Sequence, residues 1–193
     1  LFPQQGALEN NLGILEALVR GRATPDQQAL YGIQLLSAGD YSASRQHCSE
    51  ALARGFLFEP VYCMAMLEFS EGKLKEAAEY ARQAVGLRPG SVAPYILLAN
   101  VAKTLKDRAS LVKAIEAGRT AVPDRAPFWE WELARMLEEL GDLDGAIQCT
   151  GVLAQLTPDD PRVFAQAGDW LVKLGRLQEA VRMYRYALSK ASW

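Results

Sequence analysis

Four glycines, Gly39, Gly72, Gly141 and Gly175, each separate two apolar helical stretches, and Lys106 takes the equivalent place in one further unit. The steps along this series are 33, 34, 35 and 34 residues. A second series, Pro89, Pro123 and Pro158, advances by 34 and 35. Two independent markers therefore share one period. A period of that length means a row of like supersecondary units, each too small to bury its apolar face without its neighbours.

Within each unit the pattern reads as two helices. The glycine closes the first, because it adopts a left-handed conformation at little cost. Asp40, Asp107 and Asp142 follow as N-cap residues of the second helix. The proline ends the unit, since it lacks an N–H and clashes inside a helix. Thr24-Pro25-Asp26-Gln27 reads as a capping box with proline at the first helical position, and Asp160-Pro161 repeats the cap-then-proline pattern. The expected fold class is all-α, with units at 25–57, 58–91, 92–126, 127–160 and 161–193. One inserted residue near Ala126 is expected to kink the stack. Residues 1–24 are expected to hold an extra helix over 4–20, with Leu8, Leu12, Leu15 and Val19 on one stripe. That helix is either a cap or half of an earlier unit.

At this point the chain resembles the tetratricopeptide-repeat (TPR) family. That pattern places large–x2–Leu-Gly–x2–Tyr in helix A, Ala–x3–aromatic in helix B, and then Pro. The last unit offers Phe164, Ala167-Gly168, Leu171, Ala180, Tyr184 and Ala187; the fourth Leu133-Ala134, Leu137, Ala146, Leu153 and Pro158. The third offers Tyr95, Leu98-Ala99, Ala102, Gly118 and Pro123, and the second Met64-Ala65, Ala77, Ala81, Ala84 and Pro89. The first is weaker, with Tyr31-Gly32, Leu35 and Ala51 and with Ser44 where alanine is usual. Glu68, Thr150 and Phe56 depart from the pattern at a helix A aromatic, a helix B aromatic and a proline. The resemblance implies a right-handed α-solenoid of antiparallel helix pairs.

Composition narrows the chemistry. In 193 residues, 21 basic and 23 acidic side chains nearly balance, whereas a nucleic-acid-binding array carries a basic excess. No run of about 18 apolar residues exists, so no membrane insertion is expected. Three cysteines, Cys48, Cys63 and Cys149, are too few for a disulfide framework or a zinc site. Cys48 and Cys63 fall on adjacent expected helices. They read as two small core residues rather than a bridge, and this cysteine usage favours the cytoplasm over the periplasm. The one histidine, His47, lies beside Cys48, but no second histidine exists to complete a metal site, so it reads as a packing residue. No phosphate-binding loop, dinucleotide fingerprint, nucleophile elbow or zinc-protease motif is present. The expectation is a chain that is not an enzyme and uses no cofactor and no metal.

The resemblance assigns repeat positions 2, 5, 9, 12 and 13 of helix A to a concave groove. The candidate peptide-binding residues are Ile33, Leu36, Tyr62, Met66, Phe69, Ile96, Asn100, Lys103, Phe128, Trp131 and Arg135. The fifth unit contributes Arg162, Ala165, Asp169, Val172 and Lys173 at the same positions. Co-chaperone arrays of the carboxylate-clamp type place lysine, asparagine and arginine in this groove. Here Tyr62 and Met66 stand at the first such pair, Phe128 and Glu132 at the last, and Asn100 alone matches. The clamp is therefore not expected. An apolar groove suits an apolar peptide or helix segment of another protein. The expected role is a scaffold or adaptor in assembly, secretion or chaperoning of that partner. The alternatives are a recruiting arm of a larger enzyme, such as a transferase, and a helical-repeat RNA binder, which the near-neutral charge opposes. The last expected helix, 177–190, carries Leu177, Val181, Tyr184 and Leu188 with no polar helix after it. Either the array continues or this face is a self-association contact.

Overall fold

The computed structural model describes residues 13–18 and 20–191, and it shows helices and turns with no strand among them. Residues 13–18 are helical. Within that stretch Ile14 is buried while Leu15, placed by the expected stripe on the inner face, is 41% exposed, so the buried face is offset by one residue. Leu8, Leu12 and Val19 lie outside the described residues.

Ten helices follow among the described residues: α1 (Pro25–Ser37), α2 (Tyr41–Arg54), α3 (Phe58–Ser70), α4 (Leu74–Leu87), α5 (Val92–Thr104), α6 (Arg108–Ala121), α7 (Ala126–Glu139), α8 (Leu143–Leu156), α9 (Pro161–Lys173) and α10 (Leu177–Lys190). The inserted residue expected near Ala126 falls at a 3-10 turn, Pro123–Arg125, between α6 and α7. Contacts divide the chain into two compact units, 1–101 and 102–193, the boundary falling within α5.

Local chemistry explains where the helices start and stop. The side chain of Thr24 accepts from the Gln27 N–H while the Gln27 side chain accepts from the Thr24 N–H, closing the capping box ahead of α1. Asp40, Asp107, Asp142 and Asp160 accept from the first-turn N–H groups of Ala43, Ser110, Gly145 and Arg162. Each such cap contributes about 1 kcal/mol by satisfying an orphan donor. The turns between paired helices require a left-handed residue: Gly39, Gly72, Gly141 and Gly175 have φ between 74° and 85°. Lys106, which the period put at the glycine position, has φ 56° and is the non-glycine residue with positive φ among those described. That conformation is sterically costly for a side chain.

In the first unit α1 packs on α2 and α3, and α3 packs on α4. Its core is built from small residues at the crossings, Ala29, Ala51, Ala65, Ala77, Ala81 and Ala84, with Leu36, Val61, Met64 and Leu67 filling the space beside them. The two buried cysteines of this unit do more than fill volume. Cys48 of α2 and Cys63 of α3 form a disulfide across 5.7 Å between Cα atoms. This corrects the reading of them as separate core residues, and it removes the ground on which the cysteines favoured a reducing compartment. A Cβ on Gly32 would stand 2.7 Å from Cys48 Sγ and 3.0 Å from Cys63 Sγ, so this residue makes room for the bridge. Cys149 in the second unit is a free, buried thiol whose pKa burial pushes up to about 11.

The second unit packs α6 on α7, α7 on α8, α8 on α9 and α9 on α10. Its core joins Ala134, Leu137, Ala146, Cys149 and Trp170. Trp129, fully buried, donates its indole N–H to the Val122 carbonyl at 3.1 Å and faces Gly118 of α6.

Glu68, the departure from the usual aromatic, is buried and paired with cations, although its Oε2 accepts no hydrogen bond. Arg45 of α2 reaches it at 3.1 Å and Lys73 at 3.4 Å, while Arg45 also pairs with Glu71. Thr150, the other departure, is buried and donates to the Ile147 carbonyl. Thr150 is accommodated in the core by its hydrogen bond and Glu68 by its ion pairs.

Candidate functional site

The helix A candidates separate by unit. In residues 1–101, Leu36 is buried within the core cluster. Ile33 and Met66 are partly buried against that same cluster. Tyr62 stacks on Phe58 with ring centroids 5.8 Å apart, and Phe69 packs beside Leu98 and Val101. Burial, with the charge of Glu59 nearby, raises the Tyr62 phenol above its ordinary pKa. Ile96 and Asn100 are half-buried. These side chains therefore serve the core with one edge and offer the other to solvent.

In residues 102–193 the picture differs. Phe128, at the start of α7, is 37% exposed and meets Trp129 edge-on. Trp131, three residues further on, lines a cleft of about 580 Å³ with Arg162, Ala165, Gln166 and Asp169 of α9. Three of those four α9 residues belong to the set that helix A position assigned to the concave face. Gln166 does not, and only the packed geometry brings it in.

The charged candidates hold one another. Arg135 pairs with Glu132 at 2.6 Å and with Glu139, which Lys103 also engages. Lys173 pairs with Glu138, Arg108 with Asp142 and Arg176 with Asp144. Several of these pairs join residues 34 to 36 positions apart, so like positions of successive helix pairs are linked by charge. The partner cations hold the carboxyls of Glu138, Glu139 and Asp142 below the ordinary carboxylate range. Exposed pairs of this kind add little stability one by one.

His47 is half-buried, with its ring edge-on to Tyr31 at 4.9 Å. No group of three metal-ligating side chains occurs among the described residues, and no helix among them is long and apolar enough to cross a membrane. On α10, Leu177 and Leu188 are 60% and 61% exposed, and Val181 is exposed beside them. Tyr184, expected on that same face, instead turns onto Gly168 and donates to Asp169.

This geometry defines a class, an all-α array of helix hairpins recurring near every 34 residues. Residues 62–91 match the model of the tetratricopeptide-repeat family, and the chain has the fold of solved tetratricopeptide-repeat proteins. Among solved structures it is similar to MamA from Desulfovibrio magneticus RS-1, at 16% identity over 86% of this chain and 94% of that one, with a TM-score of 0.61. TTC0263, a thermophilic TPR protein in Thermus thermophilus, is 20% identical over 87% and 92% of the two chains, with a TM-score of 0.59. YrrB, a TPR protein with an unusual peptide-binding site, is 14% identical over 92% and 91%, with a TM-score of 0.60. No curated protein matches the chain in sequence.

Proposed function

We propose that the chain is a protein–protein interaction scaffold of five repeats, 25–57, 58–91, 92–126, 127–160 and 161–193, that catalyses nothing by itself and holds a segment of another protein against helix A faces. The observation that carries this reading is the pair Phe128 and Trp131. Large aromatics on one helix face normally enter a core, yet Phe128 is exposed and Trp131 lines an open cleft. Aromatic side chains presented at a cleft are the residues on which binding energy concentrates. In the first unit, the half-buried Tyr62, Met66, Phe69 and Ile96 make an apolar offer of their own. YrrB, of the same fold, has an unusual peptide-binding site, which is consistent with such a use of the fold.

The experiment is affinity capture with the wild-type chain and a Phe128→Ala/Trp131→Ala variant, followed by peptide mapping of each captured protein. The variant is expected to keep its far-UV CD spectrum and to lose the partner. Equal capture by the two proteins would remove the helix A faces of α7 and α9 from the binding surface.

A further inference from the structure

The charges around the α7–α9 cleft are unequally matched, and this says what kind of side chain fits there. Each of the four glutamates of α7 holds a cation: Glu130 holds Arg119, Glu132 holds Arg135, Glu138 holds Lys173, and Glu139 holds Lys103 and Arg135. Arg162, the cation lining the cleft, is already engaged by Asp160. Its Nε donates to Oδ1 at 2.9 Å and its Nη2 to Oδ2 at 2.7 Å. Asp169, the acid of α9, has no ion-pair partner among the described residues. It is exposed and accepts a single hydrogen bond from the Tyr184 hydroxyl at 2.6 Å. The phenol of Tyr184 is raised above its ordinary pKa by that bond, so it remains a donor and fixes the carboxylate in place.

We propose that this cleft receives a lysine or arginine side chain from an extended segment of the partner protein, with its methylenes on Trp131 and Ala165 and its cation at Asp169. This rests on the scaffold reading above and names the chemistry of one of its anchors. An indole face attracts a cation as well as covering a hydrocarbon stem. A carboxylate left unmatched in a row of matched ones supplies the charge complementarity that selects a basic side chain over an apolar one of equal length. Gln166, on the same wall, offers the amide groups to pair with the segment's backbone.

The test uses a random linear peptide library displayed on phage, selected on the full chain at low salt. Enriched peptides are expected to carry lysine or arginine. In fluorescence anisotropy, exchanging that residue for norleucine is expected to weaken binding roughly fivefold or more. Asp169→Asn is expected to weaken the parent peptide by a similar factor and to leave the norleucine peptide unchanged. Asparagine still accepts from Tyr184, so the variant should melt like the wild type. If it does not, Asp169→Glu serves instead and must keep the preference for the basic peptide. Binding that depends on Trp131 but is indifferent to Asp169→Asn or to norleucine overturns this proposal and leaves the scaffold reading standing. Selection of no peptide, or of peptides indifferent to both Trp131→Ala and Phe128→Ala, overturns both.

Discussion

Gly118 and Gly151 make one substitution into two opposite experiments. Both lie inside helices, α6 and α8, where alanine is intrinsically better than glycine by up to about 1 kcal/mol. At Gly151 nothing lies within 4 Å of an added Cβ, so only that gain operates. At Gly118 the Cβ would stand 2.5 Å from Trp129 Cη2, 2.7 Å from Cζ3 and 2.9 Å from Cζ2. Carbon atoms rest near 3.5–4.0 Å, so one side must retreat by about an ångström. The indole cannot do so freely. It is fully buried, its N–H is tied to the Val122 carbonyl, and Phe128 packs on it at 5.3 Å between centroids. Overpacking of this kind costs about 1–3 kcal/mol, and a rigid bicyclic ring puts it toward the upper end. Net of the propensity gain, Gly118→Ala is expected to destabilise by about 2 kcal/mol and Gly151→Ala to stabilise by about 0.5–1 kcal/mol. For a chain of this size the shifts in Tm are a fall of roughly 4–8 °C and a rise of roughly 2–3 °C. They are read by far-UV CD and checked by urea titration. Adding Trp129→Phe to Gly118→Ala removes the clashing ring and should recover part of the loss. If Gly118→Ala proves as stabilising as Gly151→Ala, α6 does not approach Trp129 as described, and the close crossing is refuted.

Four further outcomes follow from other parts of the chain. Alkylation under native, non-reducing conditions should label no cysteine quickly, because Cys48 and Cys63 are bridged and the Cys149 thiol is buried with its pKa pushed up to about 11. Denaturation should expose one thiol and reduction all three, whereas three without reductant would refute the bridge. The bridge closes a loop of 15 residues, so its reduction should lower stability by about 3 kcal/mol in chemical denaturation. Arg45→Met, which strips Glu68 of its shorter ion pair in a buried setting, should cost about 2–3 kcal/mol, and adding Glu68→Leu should recover most of it. A double variant no better than the single would show that Arg45 acts through Glu71 instead. The carboxyls of Glu138, Glu139, Asp142 and Asp160 have folded pKa values below their unfolded ones. Their contribution is therefore present above about pH 4 and lost as pH falls through the folded values. Thermal melts should drop between about pH 5 and about pH 3, less so at high salt. An unchanged Tm across that window would contradict the pairing.

The parts of the fold legible in the sequence were those set by local chemistry. A glycine after an apolar stretch needs only its own backbone to turn the chain, and an aspartate three residues before an N–H caps it whatever the tertiary context. The period even located Lys106, whose positive φ is the mark of a position rather than of a residue preference. The parts that were not legible depend on how helices rotate about their own axes and which residues face each other across about 35 positions. A rotation of one residue separates Ile14 from Leu15. The Cys48–Cys63 bridge depends on where α2 crosses α3, and a separation of 15 residues does not say that the Cα atoms come to 5.7 Å. Leu36 shows the same limit from the other side. Its helix position counts as concave, but the apolar stripe of α1 is wide enough for the core to take it.

The site candidates split along the same physical line, and the split bears on what the surface can bind. A side chain half-buried against a core, as Met66, Tyr62 and Phe69 are, has lost most of its rotamer freedom before any partner arrives. It offers a pre-ordered but shallow apolar edge, which favours contact with many sequences and discriminates poorly among them. Trp131 differs because its neighbours across the cleft include polar and charged groups: Arg162, Gln166 and Asp169. Discrimination requires groups that a wrong side chain would leave unmatched, and among these Arg162 is already satisfied by Asp160 while Asp169 has only a phenol. Within the second unit, selectivity would then come from the anionic cleft, and Asp169→Asn should change the order in which peptides are preferred.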